Sequence, residues 1–277
     1  MTTTGFTLLV ALGSVLAGLL GALTGLGGGV VIVPMLTLLF GVDFRYAVGA
    51  SLVSVIATSS GAAAAYVREG YTNIRVGMFL EVATVLGAVL GASLAGIVST
   101  AALAVILGLV LLYSAFLSSR PRAEHVVATP DPLAARLRLD GAYPTPEGER
   151  EYHVQHVRLG FGLMLGAGAL SGLLGIGSGA VKVLAMDQAM CLPFKVSTTT
   201  SNFMIGVTAA ASAGIYLARG YIDPGIAMPV MLGVLAGSTV GARLLSRTAP
   251  APLRALFAVV IAALALQMIA HGLAGRL

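Results

Sequence analysis

The chain has 277 residues, 57% of them hydrophobic and only 10% charged, against about 25% charged in an ordinary soluble domain. That leaves too little polar surface to meet water on all sides and excludes a soluble globular protein. The net charge of +5 does not signal nucleic acid here, because Lys and Arg collect at membrane-flanking loops. Cys191 is the lone cysteine, so neither an internal disulfide nor a cysteine-built metal centre can form.

The N-terminal Met1-Thr-Thr-Thr-Gly5 lacks a basic leader, and the apolar stretch behind it runs on to Phe40, which predicts a retained membrane segment. As one helix, 6–40 would be about 52 Å long, well beyond a hydrocarbon core of about 30 Å. A break is expected at Gly25-Leu26-Gly27-Gly28-Gly29. The predicted segments are then 6–24, 28–40, 46–67, 76–97 and 101–118. A polar stretch, 119–157, carries five prolines and four acidic residues within 140–151. Alternation over 135–139 and 151–157 predicts a small hairpin there. His153 and His156 have metal-pair spacing without a third ligand, so a solvated loop is preferred. The second apolar block reads as 158–174, 178–190, 196–218, 224–245 and 251–271.

The second block repeats the first at a constant offset of 150 residues. Gly25-Leu26-Gly27-Gly28-Gly29 falls on Gly175-Ile176-Gly177-Ser178-Gly179, Ser51 on Ser201, Thr58 on Thr208, Tyr66 on Tyr216 and Gly87 on Gly237. From Gly25 to Leu94 the alignment needs no gap and holds 17 identities in 70 pairs. Duplication follows. The fold class is therefore an all-α membrane protein of two homologous repeats, four to five helical segments each, the first helix of each broken at glycine. The expected division is 1–118, 119–157 as a cytoplasmic linker, and 158–277.

Basic residues bear on orientation. If the repeats are parallel, the side bearing the linker has ten Lys/Arg against five. If they are inverted, it has twelve against three, with Lys195 on the linker side and Arg45 and Arg219 opposite. Inverted repeats are favoured, with both termini outside.

Two repeats that each open on a broken Gly-x-Gly-[Gly/Ser]-Gly motif resemble the TauE/SafE (sulfite exporter) permeases. The run Gly175 to Asp187 (GIGSGAVKVLAMD), then Lys195 to Met204 (KVSTTTSNFM), is similar to a common variant of the family pattern. Gly25–Gly29 with Pro34, and Val48–Leu52, match it in the first half. The resemblance covers nearly the whole chain outside the linker and implies transport of sulfur-containing anions such as sulfite, thiosulfate or organosulfonates, with proton coupling. Leu184 departs from it, standing where the first repeat has Pro34, which weakens the symmetry of the two broken helices.

Glycine breaks expose helix starts whose N–H groups lack intrahelical partners. Two such starts facing each other would hold an anion. Gly27, Gly28 and Gly29 and Gly177, Ser178 and Gly179 are the candidates. Gly87-x-x-x-Gly91 and Gly237-x-x-x-Gly241 are read instead as helix-packing glycines. Lys182, one turn into the second short segment, either holds a substrate oxygen or snorkels to the interface. Glu81 is either a proton carrier, a partner for Lys182, or an interfacial anchor. Asp187, with Gln188, either contributes to coupling or caps its helix. Ser51, Thr199, Thr200, Ser201 and Asn202 either line the site or bond back to helix carbonyls.

The expected function is a secondary transporter of a small sulfur-containing anion, working by alternating access in the inner (plasma) membrane as a multi-pass protein. An anion channel built on the same site is the alternative. An enzyme is not expected: no nucleophile–base pair is visible, and a phosphate-binding Gly-x-x-x-x-Gly-Lys motif is lacking. No cofactor, metal or nucleic acid is expected. The partners are the anion, the bilayer, a coupling proton and, as an open option, a second copy in a homodimer.

Overall fold

Proline or glycine marks several helix ends, Pro132, Pro224 and Pro250 opening helices and Gly175 following the end of one, while Pro34 and Pro229 lie within helices. The computed structural model describes residues 3–24, 29–68, 70–118, 131–145, 148–245 and 250–275. In the first half, α1 (Thr3–Thr24) is followed by the short α2 (Gly29–Pro34), which runs on as a π-helical turn (Met35–Leu39). Then come α3 (Phe44–Arg68), α4 (Ile74–Leu94) and α5 (Thr100–Ser118), with α6 (Pro132–Leu137) in the linker. The second half repeats the plan with α7 (Val157–Leu174), α8 (Gly179–Leu184) with its π turn (Ala185–Ala189), α9 (Phe194–Ala218), α10 (Pro224–Leu245) and α11 (Pro250–Leu273). Among the described residues α4, α7 and α9 are each long and apolar enough to cross a membrane.

The duplication extends to features that composition does not reveal. Each short helix widens into a π turn at the same offset. The chain then closes with equivalent bonds, Val42 N–H to the Leu36 carbonyl and Leu192 N–H to the Met186 carbonyl, both 3.0 Å. Gly41 (φ +64°) and Cys191 (φ +57°) occupy the equivalent left-handed corner. A side chain there costs about 1–2 kcal/mol.

The halves interlock. α1 packs along α10, and its equivalent α7 packs along α4; α3 meets α9 and α5 meets α11. Glycine decides how close the swapped pairs come. A β-carbon at Gly87 or Gly91 would strike the backbone carbonyls of Leu165 or Ala169, and one at Gly168 or Gly172 those of Thr84 or Ala88. Gly237 meets the Val15 carbonyl in the same way. In lipid, where apolar burial does not draw helices together, such backbone contact is a main source of attraction. The packing reading of Gly87, Gly91 and Gly237 thus holds.

The two central pairs run antiparallel. Gly49, early in α3, abuts the Tyr221 carbonyl just past α9, whereas Gly206 abuts Ser59. Beyond the far end of α3, the Asn73 N–H donates to Thr200 Oγ1 at 3.0 Å, near the start of α9. α5 and α11 do likewise, Gly108 lying against Ala265 and Ile269, and Gly272 against Ala101.

Basic side chains divide between the two ends of the bundle. Arg45 reaches the Tyr221 hydroxyl (3.2 Å) and the Val98 carbonyl (3.4 Å). Arg219 donates to the carbonyls of Ala92 (2.8 Å) and Ser93 (2.9 Å), at the C-terminal end of α4. At the other end, Arg75 donates to the Arg138 carbonyl at 3.3 Å, and Lys195 lies 5.1 Å from the Tyr71 ring centre.

The linker differs from expectation. Residues 135–139 form no strand: α6 covers most of them, capped by the Asp131 carboxylate on Leu133 N–H at 2.8 Å. The hairpin lies further on, β1 (Gly141–Thr145) pairing antiparallel with β2 (Gly148–Tyr152). An Asp-Pro start and an adjacent turn outweigh the weak alternation. Nor is the linker a plain solvated loop. Leu139, Tyr143, Tyr152 and Val154 are buried against Val76, Leu80, Met190 and Leu192, and Gln155 N–H donates to the Met190 carbonyl at 3.0 Å.

Asn73 fastens this module. Its amide donates to the Leu139 carbonyl and the Tyr152 hydroxyl, both at 2.8 Å, while its oxygen caps α4 through Val76 N–H at 3.0 Å. Asn73→Ala is expected to lower stability by about 1–2 kcal/mol and to raise amide exchange selectively across 131–157. Unchanged exchange there would show that the apolar contacts alone hold the module. Hydrogen bonds from Leu133 and Val157 also hold the Asp131 carboxyl below the usual carboxylate range. Its stabilising effect is therefore present above the ordinary carboxylate range and fades as the pH falls through its lowered value.

Candidate functional site

The site begins at the breaks. α7 ends at Leu174, and Gly175 (φ +68°), Gly177 (φ +71°) and Ser178 (φ +46°) turn the chain through left-handed conformations before α8 starts. Glycine adopts these without penalty. The first break lies beside it: the Ser51 hydroxyl reaches the Gly175 carbonyl at 2.7 Å and the Gly29 carbonyl at 3.4 Å. Val55 lies against both Gly29 and Gly177. Ser201 repeats the device, its hydroxyl 3.3 Å from the Gly179 carbonyl. Ser51 and Ser201 thus direct their hydroxyls to the backbone of the breaks. Gly27 and Gly28 lie outside the described residues.

One turn into α8, Lys182 is fully buried, and it does not snorkel. Its Nζ donates to Thr208 Oγ1 on α9 at 2.6 Å. Thr208 lies 2.7 Å from Glu81 Oε1 on α4 and 3.4 Å from Thr84 Oγ1. One hydroxyl therefore links a lysine and a glutamate, and the three residues come from both halves. Glu81 is only 7% exposed, its carboxylate turned to Thr208. Ionisable groups at such depth are costly and persist where they face a partner or a polar space.

The cluster has unused capacity. An ammonium offers three donors, and Lys182 uses one among the described residues. Glu81 Oε2 is buried without a hydrogen-bond partner, as is the hydroxyl of Ser178 at the start of α8. Unmet buried polar atoms are uncommon and call for an explanation. Ser178 stands at the start of α8, whose first N–H groups lack intrahelical acceptors. The spare Lys182 donors and the Ser178 hydroxyl can be given to an oxyanion, which an ionised Glu81 cannot do.

The other half lacks this chemistry. The equivalents of Lys182, Thr208 and Glu81 are Ile32, Thr58 and Met231. Ile32 is buried, and the Thr58 hydroxyl bonds back to the carbonyls of Ser54 (3.0 Å) and Val55 (3.2 Å). The fold is duplicated but the charged site is single.

The remaining candidates divide. Thr200 accepts from Asn73 N–H, and Thr199 bonds back to Lys195 (3.0 Å) and Val196 (3.2 Å) carbonyls. Asn202 is half-buried on α9, its side chain making no hydrogen bond to a described residue. Asp187 is buried on the π turn, its carboxylate 3.1 Å from Gln188 Nε2. Neither Asp187 nor Thr199 makes a hydrogen bond to the Lys182 cluster. Sequence reasoning misses Thr208 and Thr84 as site residues. The identity of Thr58 and Thr208 across the repeats is the available signal for the first; Thr84, three residues past Glu81, shares its helix face.

The fold is an interlocked, duplicated helical bundle with membrane-length apolar helices and a buried charge cluster between its halves. The chain belongs to the sulfite exporter TauE/SafE family, whose model matches residues 10–268. It is 26% identical over 276 residues to the probable membrane transporter protein YunE of Bacillus subtilis, covering 97% of this chain and 98% of that one. It is similar, at 26% identity over 237 residues (85% and 89% of the two chains), to the probable membrane transporter protein YdhB of the same organism. A probable membrane transporter protein of Xylella fastidiosa is 26% identical over 269 residues, 95% of each chain. No solved structure matches.

Proposed function

We propose that the protein is a secondary transporter of a small sulfur-containing anion, such as sulfite, thiosulfate or an organosulfonate, bound between the broken helices and moved by alternating access. The observation that carries this reading is Lys182, buried beside the α8 start with donors to spare. Its partners lie on helices of both halves, so a relative motion of the halves would open and close the cluster. Family membership supports the sulfur chemistry.

Inverted repeats fit this reading, the protein spanning the inner membrane several times with the linker in the cytoplasm. Support comes from the antiparallel passage of α3 against α9 and of α5 against α11, since a two-fold axis in the membrane plane reverses equivalent helices. Lys195 also lies at the linker end with Arg75, and Arg219 lies with Arg45 at the other end, the division an inverted arrangement requires. The units 1–118, 119–157 and 158–277 then act as two membrane repeats joined by a docked cytoplasmic module.

Proteoliposomes provide the test. Purified protein is expected to carry radiolabelled sulfite, thiosulfate or a sulfonate at carrier rates, with saturation. Absence of flux and of binding with all of them would refute the reading, and single-channel currents far above carrier turnover would replace it with a channel.

A further inference from the structure

If the Lys182 cluster is the transport site, as proposed above, its charge balance restricts which anions it can take. Lys182 brings one positive charge and an ionised Glu81 one negative charge, so the empty cluster is neutral. A singly charged anion added to it leaves one uncompensated negative charge in a medium of low dielectric constant, where that is costly. A proton on Glu81 removes the excess, and Lys182 with a monoanion is then neutral again. A doubly charged anion stays uncompensated even when Glu81 is protonated.

The surroundings supply no other compensation. α4 is packed by α7 and α9. On α7 the residues level with Glu81 are uncharged, Phe161 lying against Phe79 with ring centres 5.4 Å apart and Gly168 against Thr84, and Arg158, one turn before Phe161, is exposed. From α9 the facing group is Thr208, while Lys195 at the start of that helix lies over the Tyr71 ring. Asp187, further along the same short segment as Lys182, is engaged by Gln188 and would only add negative charge. Among the described residues, Lys182 is the one charged group facing Glu81.

Hydrogen bonding leads the same way. Thr208 has one proton to give. With Lys182 donating to it, that proton is directed to Glu81 Oε1 at 2.7 Å or to the Met204 carbonyl at 3.0 Å. A protonated Glu81 becomes a donor itself, so its new O–H can turn to an incoming oxyanion while Oε1 goes on accepting from Thr208. The partnerless Oε2 is the atom positioned to take the proton.

We infer that the site takes singly charged sulfur oxyanions, each together with one proton held on Glu81, and discriminates against doubly charged ones, which among the anions proposed above favours a sulfonate or hydrogensulfite over thiosulfate. Uptake is thereby electroneutral: one proton and one anion enter the cluster and leave it together, with no bond made or broken beyond the O–H of Glu81.

Methanesulfonate and sulfate, two sulfur oxyanions of different charge, are the probes, with the full chain purified in detergent and in proteoliposomes. Calorimetry in buffers of different ionisation enthalpy counts protons taken up on binding. Methanesulfonate is expected to bind with about one proton, its affinity falling about tenfold per pH unit once Glu81 is ionised. Sulfate is expected to bind at least about tenfold more weakly, and Glu81→Gln to bring proton uptake to zero. If that variant does not fold, the proton count on the native chain decides alone. Sulfate bound or carried as well as methanesulfonate, or methanesulfonate bound with no proton taken up, overturns this inference and leaves the transport reading standing. Neither anion bound nor carried removes both.

Discussion

Lys182→Ala is expected to lower anion affinity and flux by about 10- to 100-fold and to abolish the thermal stabilisation that substrate gives the native protein. A hydrogen bond involving a charged group contributes about 1.5–3 kcal/mol, and 1.4 kcal/mol corresponds to a factor of ten. The loss is specific because Ile32, the equivalent residue, is apolar and cannot replace the ammonium. Removing one member of a buried charged pair also costs about 3–5 kcal/mol, because the other is left uncompensated. The single variant should therefore melt earlier even without ligand. Lys182→Met combined with Glu81→Gln removes both charges at similar volume and should recover much of that stability without recovering transport. Substrate-dependent melting is the readout, since a ligand stabilises the state it binds. An unchanged response in Lys182→Ala would place the anion elsewhere.

Gly87→Ala and Gly168→Ala are expected to destabilise the bundle by about 1–3 kcal/mol each, the usual range for overpacking a filled contact. Leucine at either position should prevent folding. The reason is backbone, not side chain: the added carbon meets the Leu165 carbonyl in one case and the Thr84 carbonyl in the other. Neither can rotate away, so α4 and α7 must separate along their length. Gly162→Ala and Gly166→Ala serve as controls on the same helix, because a β-carbon at either meets nothing within 4 Å. Melting temperature in detergent separates the two sets. If all four variants behave alike, the close approach of α4 and α7 does not sustain the fold. Glu81 and Thr84 lie on α4 beside this contact, so variants that fold should also bind anion more weakly.

The features behind these effects are unequally visible in the chain. The helices and both breaks are legible, because apolar runs longer than the bilayer must break where glycine allows it. Duplication is legible because equal offsets preserve identity in loops as well as spans. The π turns are not, since a widened turn depends on bonds such as Met190 N–H to the Ala185 carbonyl, which no residue type announces. The linker is misread because short alternation over 135–139 is weak beside an Asp-Pro helix start, and because Leu139, Tyr143 and Tyr152 find partners far off in the chain, among them Tyr71, Asn73, Val76 and Met190.

The site shows the same division. Sequence alone determined that a lysine and a glutamate lie within apolar segments of different halves, and that neither has a charged counterpart in the repeat. Tertiary structure decided that they meet, with Thr208 between them, and that Ser51 and Ser201 turn to the breaks' carbonyls instead. Local patterning fixes what each helix buries, since it depends on period and composition. Which buried polar groups face one another depends on how the helices interlock, and that is set by contacts between residues far apart in the chain.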